Sequence, residues 1–95
     1  MRNYELVCVI QPDLDETAFN GVLEKVKSWI SESGGTVDKV DVWGRRKLAY
    51  IIKKHREGQF VLLNMTMNPS ALFDLERNLR YQEPIIRHML SVANS

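Results

Sequence analysis

Two stretches of strict alternation, Tyr4 to Ile10 and Gln59 to Met67, are each followed by a run with helical spacing, and this repeated succession leaves few folds open. In the first stretch Tyr4, Leu6, Cys8 and Ile10 share one face, while Glu5, Val7 and Val9 occupy the other. The first set is apolar throughout and is expected to face the core. In the second stretch Val61, Leu63, Met65 and Met67 form a continuous apolar face, with Phe60, Leu62, Asn64 and Thr66 pointing the opposite way.

Asp13 followed by Glu16 forms a capping box, after which Phe19, Val22, Leu23, Val26 and Ile30 recur at helical spacing, predicting a helix over roughly 15–33. Ser33-Gly34-Gly35 ends it, glycine supplying the left-handed geometry of helix termination. Trp29 lies at the edge of the apolar stripe and is expected to pack. Thr36 to Lys53 is rich in Val, Ile and Tyr and predicts a long second strand, bent or bulged near Gly44. Residues 54–58 are expected to turn into the Gln59 to Met67 strand. Asn68-Pro69 then caps a helix carrying Leu72, Leu75 and Leu79 that ends near Tyr81, before Pro84. A last strand is predicted over 85–92, with Ala93 to Ser95 as a short tail.

The order strand, helix, strand, strand, helix, strand fits an α+β, ferredoxin-like β-α-β-β-α-β fold: a four-stranded antiparallel sheet with two helices on one face. The 95 residues suffice for one such domain over 1–95 and not for two. One sheet face is then left without a helical cover. It carries Val7, Val9, Phe60 and Leu62, an apolar set that marks a protein-partner surface.

Charge is concentrated in the middle of the chain. Residues 45–57 hold 6 cations (Arg45, Arg46, Lys47, Lys53, Lys54 and Arg56) and 1 acid, a net +5, whereas residues 1–44 hold 4 cations and 8 acids. Such a focus suits an anionic partner, although a charged run is also what an ordinary solvated surface presents. No segment is long enough to cross a bilayer, and the N-terminus runs directly into strand alternation without the apolar core of a signal peptide, so a cytoplasmic setting is expected. Cys8 is the only cysteine; it rules out an internal disulfide and a cysteine-based metal site, and is expected to be a small buried hydrophobe.

Over nearly its whole length the chain resembles the bacterial ribosomal small-subunit protein six family. The resemblance rests on Met1-Arg2-Asn3-Tyr4-Glu5, on Gln11-Pro12-Asp13-Leu14-Asp15, and on Val40 with Gly44-Arg45-Arg46-Lys47-Leu48-Ala49-Tyr50-Ile51-Ile52. The Gly58 to Met67 strand, the Leu75 to Arg80 helix and Arg87 to Met89 complete it. It implies a structural constituent of the small ribosomal subunit that binds the central domain of small-subunit ribosomal RNA together with ribosomal protein eighteen, the latter through the sheet side. It further implies that Arg2, Tyr4, Arg45, Arg46, Lys47 and Arg87 lie at or near RNA or the partner; the charge run itself adds Lys53, Lys54 and Arg56 as candidate basic contacts. Guanidinium forks bind phosphate oxygens bidentately, and lysine acts as a mobile point charge. No cofactor, metal or stable homo-oligomer is expected.

Three other readings fit less well. Glu57-Gly58-Gln59-Phe60-Val61 is faintly similar to the third strand of an RNA-recognition motif, but Gln59 stands where a stacking aromatic is needed for single-stranded RNA. An enzyme lacks support, because His55 and His88 have no identifiable catalytic partner and no phosphate loop or dinucleotide fingerprint occurs. Pairing of two open sheet faces would make a homodimer.

Overall fold

The computed structural model describes residues 1–93; Asn94 and Ser95, the end of the expected tail, lie outside the described residues. The elements follow the order β1 (Arg2–Ile10), α1 (Glu16–Glu32), β2 (Thr36–Ile52), β3 (His55–Met67), a 3-10 turn (Pro69–Ala71), α2 (Leu72–Tyr81) and β4 (Ile85–Val92). The four strands form one sheet in the order β2-β3-β1-β4, each neighbouring pair antiparallel. This is the ferredoxin-like arrangement.

Alternation decides the core. Tyr4, Leu6, Cys8 and Ile10 of β1 and Val61, Leu63, Met65 and Met67 of β3 are buried against Phe19, Leu23, Val26 and Ile30 of α1 and Leu75 and Leu79 of α2. Tyr4, which the resemblance placed at or near RNA or the partner, is therefore a core residue at 4% exposure. Trp29 packs partly buried against the same cluster.

Local chemistry sets the ends of α1, with one correction. The cap is Asp15, whose carboxylate accepts from the Ala18 N–H at 2.8 Å, and not Asp13. Gly34, at φ +88°, follows the Ser33 C-cap as expected. At the far end of the chain Asn68 caps the 3-10 turn that leads into α2, its side chain accepting from the Ser70 N–H.

The connection between β2 and β3 is tighter than the sequence suggests. Instead of a turn over 54–58, Lys53 and Lys54 alone make it, at φ +49° and +70°, and His55 to Gly58 already belong to β3. Both central residues have positive φ, as a two-residue hairpin turn with matching strand twist requires. β1 pairs with β3 only as far as Ile10 opposite Gln59, whereas β2 pairs with β3 beyond this point, through Arg46 opposite Gly58 and Lys47 opposite Glu57 to Ile52 opposite His55. Residues 46–58 therefore project past the sheet as a ribbon of two strands whose register shifts between Lys47 and Ile52.

Candidate nucleic-acid and protein interface

Gly44 determines which way the cations point. At φ +89° it sits in a bulge where the β2 register shifts between Val42 opposite Val61 and Gly44 opposite Phe60. Beyond the bulge Arg45 stands opposite Gln59 and Arg46 opposite Gly58, so adjacent arginines leave on opposite faces. Arg46 extends over the Trp43 ring, 5.2 Å from its centroid, and Trp43 stacks at 13° on Phe60 with centroids 6.5 Å apart. Arg87, opposite Val9 on β4, lies over the Tyr50 ring at 5.8 Å and donates to the Tyr50 hydroxyl. Two guanidinium groups are thus held on aromatic shelves along one side of the sheet. Each shelf leaves N–H donors of the planar fork available to an incoming oxygen.

Arg45 is engaged differently. Its guanidinium donates to the Pro12 carbonyl at 2.6 Å and pairs with the Glu57 carboxylate at 3.5 Å. Lys53, Lys54 and Arg56 lie exposed at and just beyond the ribbon tip, and Lys47 lies exposed nearer its root. An open cleft of about 770 Å³ separates the ribbon from Pro12 and is lined by Lys47, Leu48, Tyr50, Lys54 and Arg56 among others. Arg2 is not part of this group. It sits at the opposite end of β1, eight residue steps or about 26 Å from Ile10.

The uncovered sheet face grades from polar to apolar to basic. At one end Thr66 donates to Asn3 and Asp38, with Glu5, Lys39 and Asp41 close by in the register. The centre holds Val7, Leu62 and Met89 in one row across the strands, with Phe60 and Trp43 beside them. Val7, Phe60 and Leu62 are half-buried, and Met89 is exposed. Val9 is the exception to the expected partner set: it faces this side but is only 1% exposed. Gly58 lies directly against it, for a Cβ on Gly58 would overlap Val9 Cγ1, and Ile86 Cδ1 lies 3.6 Å from the same point. Val9 therefore supports the surface from beneath. Trp43 and Met89, which sequence alternation does not single out, extend this face instead: the bulge at Gly44 changes the parity around the first, and β4 (Ile85-Ile86-Arg87-His88-Met89-Leu90-Ser91-Val92) has no strict alternation to mark the second.

Among the described residues no three His, Cys, Asp or Glu side chains group closely enough to hold a metal ion. Cys8 is buried, and burial pushes its thiol up to about 12. His88, which has no obvious reason to occupy a strand, faces α2, with Nε2 3.4 Å from Glu76 Oε1. No helix of the described residues is long and apolar enough to cross a membrane.

The profile of the family described as Ribosomal protein S6 matches residues 3–91. The chain belongs to this family. Small ribosomal subunit protein bS6 of Clostridium botulinum strain 657 is 47% identical over 90 residues, 95% of this chain and 96% of that protein. The bS6 protein of Moorella thermoacetica is 42% identical over 91 residues, 96% and 93% of the respective chains. The crystal structure of 30S ribosomal protein S6 from Thermotoga maritima superposes with a TM-score of 0.91 at 34% identity, covering 97% of this chain and 87% of that one. Membership of the ribosomal protein S6 family assigns a structural and not a catalytic role, within the RNA-binding machinery of the small ribosomal subunit. This S6-family chain thus presents an exposed basic ribbon beside an apolar sheet face.

Proposed function

We propose that the protein, as a single cytoplasmic domain, joins the central domain of small-subunit ribosomal RNA to ribosomal protein eighteen. The cationic ribbon meets RNA, and the uncovered sheet face meets the protein. The observation that carries this reading is the adjacency of the two surfaces: the Arg46 to Trp43 to Phe60 stack runs from the root of the ribbon onto the apolar sheet face. On the RNA side Arg46, Lys47, Lys53, Lys54, Arg56 and Arg87 supply phosphate contacts that position the domain on folded RNA without reading bases. On the protein side Val7, Phe60, Leu62, Trp43 and Met89 supply area that water otherwise covers at a cost. Arg2 is far from the ribbon and would contact RNA only at a separate point.

Association of the protein with ribosomal protein eighteen and a central-domain RNA fragment, followed across a salt series, tests the RNA half. Neutralising Lys47 and Lys54 should each lower the logarithmic salt slope by roughly 0.7 to 0.9. An unchanged slope in both folded variants removes the ribbon from the RNA contact. Crosslinks recovered from small-subunit particles through the tagged protein test the protein half, and absence of ribosomal protein eighteen among them removes the sheet-face assignment.

A further inference from the structure

Six cations precede or flank the ribbon tip, but one of them is already committed inside the molecule. Arg45 leaves β2 on the side away from Arg46, and its fork spans the Pro12 carbonyl at 2.6 Å and the Glu57 carboxylate at 3.5 Å. Its cross-strand neighbour Gln59 donates Nε2 to the Gln11 carbonyl at 3.1 Å. Two successive carbonyls of the β1–α1 loop are thus held by a cross-strand pair of side chains. The Gln11 N–H is itself tied to the Pro84 carbonyl at 2.9 Å, just ahead of β4.

This happens at the last residue where β1 supports β3, Ile10 opposite Gln59. Past that point the ribbon has no third strand, and a two-stranded hairpin has little rigidity of its own. Its direction relative to the body is also set by the bulge at Gly44, where the ladder is interrupted. The Arg45 and Gln59 side chains continue across the gap where backbone pairing from β1 stops. A fork that binds two acceptors in fixed geometry restrains an angle, which a single flexible ammonium cannot do.

We propose that Arg45 is a positioning residue: with Gln59 it clamps the root of the basic ribbon to the β1–α1 loop and so aims the ribbon's other cations at RNA. The inference rests on the RNA-binding reading of the ribbon. An unclamped ribbon spends part of its time pointing elsewhere, and apparent affinity falls by the fraction of molecules correctly oriented. The contribution is to the fraction of competent molecules and not to the number of phosphates neutralised.

Two measurements separate this from a direct phosphate contact. Salt-series binding to the central-domain RNA with ribosomal protein eighteen present is made for Arg45→Gln, Arg45→Lys, Gln59→Met and Lys47→Gln. Distances between spin labels on Ala49→Cys in the ribbon and Asn20→Cys on α1 are measured in the wild-type background and in each Arg45 and Gln59 variant; buried Cys8 stays unlabelled. The clamp predicts that both Arg45 variants and Gln59→Met broaden the label distance distribution and weaken binding about three- to tenfold with the salt slope unchanged. Lys47→Gln, by contrast, lowers the slope by roughly 0.7 to 0.9. Wild-type affinity in Arg45→Lys, together with a slope lowered in Arg45→Gln, would make Arg45 an ordinary phosphate contact and overturn the proposal. An unchanged distance distribution in all three clamp variants overturns it as well. Should Lys47→Gln and the neutral Lys54 variant both leave the slope untouched, the RNA reading of the ribbon fails, and the label distances still decide the clamp.

Discussion

Arg46 rests on Trp43, its guanidinium carbon 5.2 Å from the ring centroid, and Trp43 in turn stacks on Phe60 of the neighbouring strand. The cation and the apolar sheet face are therefore mechanically one surface. Whatever displaces Trp43 disturbs both the Arg46 guanidinium and the apolar area beside Phe60.

Trp43→Ala should lower unfolding free energy by about 1 kcal/mol, since a stacked aromatic pair contributes about 0.5–1.5 kcal/mol and an exposed cation–π contact about 0.5–1 kcal/mol. Trp43→Phe should retain most of it. Urea denaturation midpoints of the two variants measure the difference; equal midpoints would mean that the stack contributes nothing to the isolated domain.

Leu62→Glu should impair pairing with ribosomal protein eighteen far more than it changes the isolated domain. Leu62 is half-buried opposite Val7, on the face away from the Leu63 core contacts. A carboxylate there stays hydrated until a partner covers it, and leaving a charge unpaired in a closed interface costs about 3–5 kcal/mol. Titration calorimetry paired with thermal melting checks this. Unfolding before any partner is added would place Leu62 in the core, and unchanged affinity would move the interface elsewhere.

Gly58→Ala should destabilise by about 1–3 kcal/mol, the usual range for forcing a methyl into packed space. The new Cβ overlaps Val9 Cγ1 while Gly58 itself has ordinary backbone geometry, so the cost is steric. Val9→Ala in the same chain removes the obstructing methyl groups. The double variant should then lose less stability than the two single losses added together. Additive losses in a denaturation cycle would show that Val9 and Gly58 do not meet.

Cys8 gives a pH prediction whose sign is determined by burial. Desolvation raises its thiol from 9.0 to about 12, so the native state holds a proton that the unfolded chain releases earlier. Stability from this group is complete below pH 9 and is lost as pH climbs from 9 toward 12. Cys8→Ala should flatten the fall in unfolding free energy over that window, measured by urea titrations at stepped pH. Parallel curves for the two proteins would remove the thiol as the cause.

Much of the architecture is legible from spacing because burial is periodic. Val61, Leu63, Met65 and Met67 recur every second residue and are all completely buried, and the Phe19, Leu23, Val26 and Ile30 stripe became the inner face of α1. The β2–β3 turn was less legible, since lysines in left-handed geometry carry no glycine or asparagine signal. The α1 cap was displaced by two residues because Asp13 and Asp15 offer the same side-chain chemistry, and only the path of the chain selects between them.

For the interface the division is sharper. The amino-acid order by itself determined that the chain carries six cations within 13 residues and that one sheet face has more apolar area than solvent favours, because composition and parity are local properties. Which of those groups can meet a partner was decided only in three dimensions. The bulge at Gly44 reverses parity and sends Arg45 to the Pro12 carbonyl while Arg46 goes to Trp43. Gly58 comes from a strand distant in the chain to lie against Val9, and Tyr4 is enclosed in the core beneath the helices. A one-residue shift in a strand exchanges its two faces, and burial depends on what other elements place above a residue; neither is encoded in the residue's own neighbourhood.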